Sequence, residues 1–238
     1  MKTLILKNKK EVAEKVSEMI AREIRNNPKI NLGLPTGETI IPIYQCLSFL
    51  INKTKIDASK IKTFNLDEYI SMPPSDKNSY HHFMHEHLFS KINIKKENTN
   101  FPEDKKPSLY DKLIKKSGGL DLTILGIGVN GHIAFNEPGS SIKSKTRIVK
   151  LTQSTINSNS RFFKDDKVPK KAITIGIFAI LSSKKIILVA TGKNKAEIIA
   201  KTLKSKPSPK IPASFLKRHK KTLVILDENA AYLLNNKL

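Results

Sequence analysis

Cysteine is almost absent from this 238-residue chain: there is one, Cys46, so no internal disulfide can form. A disulfide-stapled fold is excluded, and the usage fits a reducing compartment, which makes the cytoplasm the expected location. Tryptophan is missing altogether, which in a chain rich in lysine, asparagine and isoleucine suggests biased codon usage. No apolar run approaches the roughly 20 residues that a membrane-crossing helix needs. The amino-terminal apolar patch, Leu4 to Leu6, is too short for a secretory signal. Neither a membrane partner nor an export segment is therefore expected.

Acidic residues are also scarce, 21 against 43 basic, for a net charge of +22. Such a surplus can mark a nucleic-acid or acidic-membrane surface. Here the lysine pairs beginning at Lys9, Lys95, Lys105, Lys115, Lys170, Lys184 and Lys220 are scattered. Only five basic residues are arginine, the better planar binder of phosphate. The densest cluster, Lys217 to Lys221, reads as a solvated helix end. No specific nucleic-acid partner is expected.

What the chain does have is 39% hydrophobic residues in alternating runs, enough to build one core, so residues 1–238 are expected to form a single domain. Val12, Val16, Met19, Ile20 and Ile24 recur at helical spacing and Pro28 marks the stop. Candidate strands are Ile30 to Leu34, Lys60 to Asn65, Leu120 to Leu125, Lys185 to Thr191 and Leu223 to Asp227, each followed by a polar or glycine-bearing turn. Strands alternating with amphipathic stretches predict an α/β fold: an open, mostly parallel, Rossmann-like sheet flanked by helices. Ligands of such sheets bind beyond the carboxyl ends of the strands, where Thr36, Asp67, His132 and Gly192 fall. Cys46 shares an apolar helical pattern with Ile43, Leu47 and Leu50, so it reads as a buried core thiol rather than a nucleophile. The segment Asn98 to Ser108, with two prolines and a run of charge, reads as a surface connection.

The densest chemistry lies in Leu125 to Pro138, LGIGVNGHIAFNEP. Gly126, Gly128 and Gly131 permit tight turns and close ligand approach, while Asn130, His132 and Glu137 supply hydrogen-bonding and proton-transfer groups. The string also satisfies G-x-G-x-x-G, the dinucleotide fingerprint. That fingerprint should open a helix and be followed about 20 residues on by an acidic residue. Pro138 and Gly139 interrupt any helix, and no Asp or Glu occurs from Pro138 to Lys164, so a dinucleotide site is not expected.

These residues are similar to the signature of glucosamine-6-phosphate deaminases, in which a glycine-rich loop leads into a histidine and FNEP. Three further segments resemble that family: LGLPTGETIIPIY (Leu32 to Tyr44), like its sugar-phosphate loop; FNLDEY (Phe64 to Tyr69), like its proton-abstraction site; and SNSRFF (Ser158 to Phe163), like its phosphate-binding arginine segment. The likeness runs from about Asn31 to Ala231. Related 6-phosphogluconolactonases share the fold but usually continue differently after GH, so Phe135 to Pro138 favour the deaminase. The alternatives carried forward are lactone hydrolysis and non-catalytic sugar-phosphate binding on the same scaffold.

The resemblance implies conversion of glucosamine 6-phosphate to fructose 6-phosphate and ammonia, with no metal and no cofactor. It assigns catalytic roles to Asp67, which moves the carbon-bound proton, and to His132, which moves protons between the ring oxygen and the anomeric hydroxyl. Glu137 would hold and polarise His132. Asn130 stands where many relatives carry Asp; an amide cannot take up a proton as a carboxylate does, so its part would be orientation through hydrogen bonds. Phosphate binding falls to Thr36, Gly37, Thr39, Arg161 and Lys195. Glu38 departs from the family's usual glycine or small hydroxyl residue, and a carboxylate there should point away from a phosphate. Residues 152–169 resemble a mobile lid. A small-molecule sugar phosphate is the expected partner; a homo-oligomer is admissible.

Two competing readings concern neighbouring residues. In an extended segment adjacent side chains face opposite ways, so only one of Asp67 and Glu68 can address a substrate, and the resemblance selects Asp67. His81, His82, His85 and His87 invite a metal site, but Phe83, Met84, Leu88 and Phe89 mark the segment as a packed amphipathic helix instead. The resemblance also extends to an activator site in allosteric members of the family. Ser140 and Arg147 match part of it, whereas Val149 occupies the position of a second cation and the chain stops at Leu238, soon after DENAA. Allosteric activation is therefore not expected.

Overall fold

The computed structural model describes residues 1–160, 163 and 168–235. Seven strands form one sheet in which every pairing is parallel: β1 (Lys2–Leu6), β10 (Thr222–Asp227), β9 (Lys185–Ala190), β6 (Leu122–Leu125), β2 (Asn31–Leu34), β3 (Lys62–Asn65) and β5 (Thr99–Asn100), in that spatial order. β2 and β6 are buried along their whole length, as expected for strands covered on both faces. The five strands read from the sequence are the five central ones, within two residues at their ends.

Helices cover both faces. Helix α1 (Lys9–Asn26) begins at Asn8, whose side chain accepts from the amides of Lys10 and Glu11, and ends just before Pro28. Its apolar stripe, Val12, Val16, Ile20 and Ile24, packs with Ile43, Leu47 and Ile51 of α2 (Ile41–Lys53) and with Met84 of α3 (Tyr80–His87) on one face. The other face buries Tyr110 and Ile114 of α4 (Pro107–Lys116), Ile180 of α6 (Ile177–Leu181), and Ile198 and Ile199 of α7 (Ala196–Lys204). A short helix, α8 (Tyr232–Asn235), follows the last strand.

A second, antiparallel sheet of β4 (Asp67–Tyr69), β8 (Lys171–Thr174) and β7 (Arg147–Lys150) lies beyond the end of β3. Helix α5 (Gln153–Asn159) follows β7. Tyr69, Phe135, Leu151, Phe163 and Ala172 form a small core of their own here, with Tyr80 and Ile156 packed against it.

Leu4 to Leu6 lie in edge strand β1. Two readings need correction. Asn98 to Ser108 hold edge strand β5 and the first turn of α4 rather than a plain connection. Cys46 is only partly buried, because it sits on the flank of α2 toward Lys10 and Glu14 of α1; partial burial and then Glu14 push its thiol up, against activation. Among the described residues no helix is long and apolar enough to cross a membrane.

Candidate active site

Strand order determines where the sequence motifs meet. The adjacent central strands β2 and β6 form the switch point, from which later strands build outward in opposite directions, β3 and β5 on one side and β9 and β10 on the other. Ligands of open α/β sheets bind at such a point. The loop Pro35 to Ile40 leaves β2, the glycine-rich loop leaves β6, Leu66 and Asp67 follow β3, and Thr191 to Lys195 follow β9. Four separate stretches of sequence therefore reach one edge.

The glycine-rich loop opens no helix; β7 is the next element after β6, so it is not a dinucleotide fingerprint. The Gly128 amide donates to the His132 carbonyl at 3.0 Å and the Gly131 amide to the Gly128 carbonyl at 2.9 Å, closing a tight turn. A Cβ on Gly128 would fall inside the His132 imidazole, so glycine is required there to seat the ring. Ala134, two residues further, holds φ of 48°, an unfavourable value for a residue with a side chain.

His132, Asn130 and Glu137 form one cluster. His132 Nδ1 lies 3.5 Å from Glu137 Oε2 and 3.3 Å from Thr155 Oγ1. Asn130 uses both ends of its amide: Oδ1 accepts the His132 backbone N–H at 3.1 Å, and Nδ2 donates to Glu137 Oε2 at 2.7 Å. Thr152 adds a hydroxyl donor to Glu137 Oε2 at 3.2 Å. Burial alone would push the Glu137 carboxyl up. The hydrogen bond and charge of His132, helped by Thr155 and Asn130, reverse this and bring it to about 2. Glu137 is therefore an ionised acceptor at neutral pH.

Asp67 presents the opposite case. It is 7% exposed, and burial first, then the neighbouring Glu68 carboxylate, push it up to about 8, although the Phe135 amide donates to it. Two carboxyls at one edge are thus driven in opposite directions, the pattern that separates acid–base roles in a site. Glu68 is turned to other partners, the amides of Tyr69, Tyr80 and His81. The two adjacent carboxylates do diverge along β4, and both are buried.

In the β2 loop, Gly37 has φ of 112°, a conformation that a side chain would strain. Tyr44 Oη donates to the Pro35 carbonyl at 2.6 Å, fixing the loop to α2, and the Thr36 hydroxyl is bonded to that of Tyr80. Thr39 is half-buried and Glu38 exposed. Lys195 stands at the start of α7 and donates from Nζ to the Ile127 carbonyl at 2.7 Å, joining the β9 turn to the glycine-rich loop. Arg161 lies outside the described residues, as does part of the expected lid, 152–169. What is described of that segment begins with α5, capped by Thr152, and Asn159 donates to the Tyr69 hydroxyl at 2.9 Å.

Three residues in this site escaped the sequence reading. Thr152 and Thr155 contact the His132 cluster across 15 residues or more of chain, and buried Asn136 braces the loop by donating to the carbonyls of Ile133 and Ile175 at 3.1 and 2.8 Å. The only available signal was the place of Asn136 within FNEP. In the histidine-rich helix, His81 stacks on Phe101 with ring centroids 3.6 Å apart. Among the described residues no three His, Cys, Asp or Glu side chains are grouped to hold a metal.

Residues 7–225 match the family model described as glucosamine-6-phosphate isomerases/6-phosphogluconolactonase. A glucosamine-6-phosphate deaminase of Thermoanaerobacter sp. (strain X514) is 46% identical over 241 residues, covering 98% of this chain and 95% of that protein. The solved structure of a monomeric glucosamine-6-phosphate deaminase superposes with a TM-score of 0.96 at 39% identity, over 98% of this chain and all of the other. A 6-phosphogluconolactonase of Thermotoga maritima shares the fold, with a TM-score of 0.75 at 24% identity over 95% of this chain and 99% of its own.

Proposed function

This chain belongs to the family of glucosamine-6-phosphate isomerases and 6-phosphogluconolactonases, and we propose that within it the protein is a glucosamine-6-phosphate deaminase. It is an enzyme that converts glucosamine 6-phosphate and water to fructose 6-phosphate and ammonia. The identity to deaminases along nearly the whole chain supports this activity over lactone hydrolysis.

The observation that carries the chemical reading is the separation of two proton carriers. Ring opening needs a proton delivered to the ring oxygen and one removed from the anomeric hydroxyl; His132, held against ionised Glu137, is suited to both transfers. Isomerisation then needs a base for the proton on carbon 2 and its return to carbon 1. Buried Asp67, whose carboxyl titrates near 8, is the assigned carrier. Water then adds to the resulting imine carbon and ammonia leaves. Asn130 orients His132 and Glu137. Hydrolysis of a lactone would leave Asp67 without a carbon-bound proton to move.

The phosphate is assigned to the turn of Thr36, Gly37 and Thr39, where backbone N–H groups suit an anion, with Lys195 at the start of α7 and Arg161 as cations. Residues 152–169 act as the lid of a single domain spanning 1–238. No metal or cofactor enters these steps. The described site residues all come from one chain, and a homo-oligomer would leave them together. The lone cysteine supports a cytoplasmic location.

The test is to offer the purified protein glucosamine 6-phosphate and 6-phosphogluconolactone in parallel, without added metal or nucleotide. Ammonia and fructose 6-phosphate in equal amounts are expected from the first. Lactone hydrolysis without ammonia release would overturn the assignment.

A further inference from the structure

Glu68 stands directly after the assigned base and has no part in the steps above, yet it is 4% exposed and surrounded by donors. Its Oε1 accepts from the Tyr69 amide at 2.8 Å. Its Oε2 accepts from the amides of Tyr80 at 2.8 Å and His81 at 3.2 Å and lies 3.1 Å from His81 Nδ1. Tyr80 and His81 open helix α3, and Ser79 at its cap accepts from the His82 amide. Glu68 is therefore the anion at the positive end of this helix, with amide donors on both oxygens, an arrangement that suits an ionised carboxylate. His81 is itself held against the ring of Phe101.

We propose that Glu68 is a positioning residue for proton transfer: it ties the strand carrying Asp67 to the amino end of α3 and presents Asp67 with a fixed neighbouring negative charge.

The consequence concerns basicity. A carboxylate with an ordinary titration would be a weak base for a carbon-bound proton, whereas one titrating near the working pH is a stronger one. Burial supplies most of the upward push on Asp67 and Glu68 the next largest part, with the Phe135 amide opposing both. Among the described residues the other groups within electrostatic reach of Asp67 are phenols: Tyr44 of α2, Tyr69 of β4, Tyr80 of α3 and Tyr110 of α4, all raised by burial and further by Asp67. They stay neutral at neutral pH, so among the described residues Glu68 is the charge with which Asp67 is paired. A merely structural cap would affect stability and leave the titration of Asp67 where burial puts it.

The proposal rests on Asp67 being the base of the deaminase reading, and its test separates the two. The pH dependence of kcat/KM for ammonia release is compared in wild type, Glu68→Gln and Glu68→Asp. In Glu68→Gln the acid limb should move down by about one pH unit, because a like charge has been removed. In Glu68→Asp, which keeps the charge but shortens its reach to α3, the limb should stay while thermal stability falls. An active Glu68→Gln enzyme with an unmoved limb would overturn the proposal. Should that variant fail to fold, carboxyl 13C titration of Asp67, identified through Asp67→Asn, is compared between the wild type and Glu68→Met, which removes the charge at similar side-chain length. An Asp67 midpoint about one pH unit below the wild-type value supports the proposal, and an unmoved midpoint, or a wild-type midpoint at the ordinary carboxylate value of about 4, overturns it. A wild-type protein that releases no ammonia would defeat the deaminase reading alone.

Discussion

The Asn130 amide donates to the Glu137 carboxylate at 2.7 Å, the shortest contact in the cluster that holds His132. Asn130→Ala removes this bond together with the acceptor of the His132 amide, so the imidazole loses orientation while the phosphate loop is untouched. Loss of a hydrogen bond to a charged group is worth about 1.5–3 kcal/mol, so kcat should fall on the order of tenfold to a hundredfold. The dissociation constant of a competing sugar-phosphate analogue should be unchanged. Steady-state kinetics with inhibition by that analogue checks both.

Gly128 and His132 make a second prediction, because a methyl group on residue 128 would occupy the space of the imidazole. Gly128→Ala should push the ring away from Glu137 and lower kcat about a hundredfold or more, the scale of a lost acid–base group. The fold should persist, since the change lies in a surface-facing loop. Circular dichroism beside kinetics separates misplacement of His132 from unfolding.

Asp67 also links pH to stability. Its carboxyl is pushed up to about 8 in the folded protein from an ordinary value of 3.8, so the folded state holds a proton that the unfolded state releases between these values. Stability contributed by this group is fully present below about 4 and is lost as pH rises through about 8. Asp67→Asn removes the ionisation. The variant should therefore gain stability over the wild type between pH 5 and 9, by a few kcal/mol at the upper end. Thermal melts of both proteins across that range provide the measurement, and a constant difference would show that Asp67 is not raised.

N-acetylglucosamine 6-phosphate should not activate the enzyme. Arg147, which resembles part of an activator site, is already committed: its guanidinium donates to Asn136 Oδ1 at 2.9 Å and to Ser140 Oγ at 2.9 Å. Val149, on the same strand, offers no charge for a phosphate dianion. Saturation curves for glucosamine 6-phosphate should be hyperbolic with and without the acetylated sugar. A sigmoidal curve that becomes hyperbolic on its addition would show two states and a site that distinguishes them.

The central strands were legible because parallel strands covered on both faces read as short apolar runs, as Leu122 to Leu125 do. Edge strands were not: β1 is half-exposed and β5 has only two residues. β7 alternates half-buried and exposed residues in the second sheet, where polar positions conceal it. Site loops could be placed because each follows one of those central strands. Contacts made across the chain were beyond reach. Nothing near Glu68 in sequence announces the amino end of α3, and Thr152 and Thr155 reach Glu137 and His132 only because α5 folds back over the glycine-rich loop. Cys46 misled for a related reason: helical spacing places it on the apolar side of α2, yet it is only partly buried, within electrostatic reach of Lys10 and Glu14 of α1.

The account depends most on a carbon-bound proton being moved by Asp67. The direct measurement is the reaction of glucosamine 6-phosphate carrying deuterium at carbon 2, with wild type and Asp67→Asn, following ammonia and the label in fructose 6-phosphate. The wild type should release ammonia, with part of the label delivered to carbon 1 by the carboxyl that removed it. Asp67→Asn should bind a sugar-phosphate analogue and release no ammonia. Ammonia release by Asp67→Asn at the wild-type rate would contradict the account.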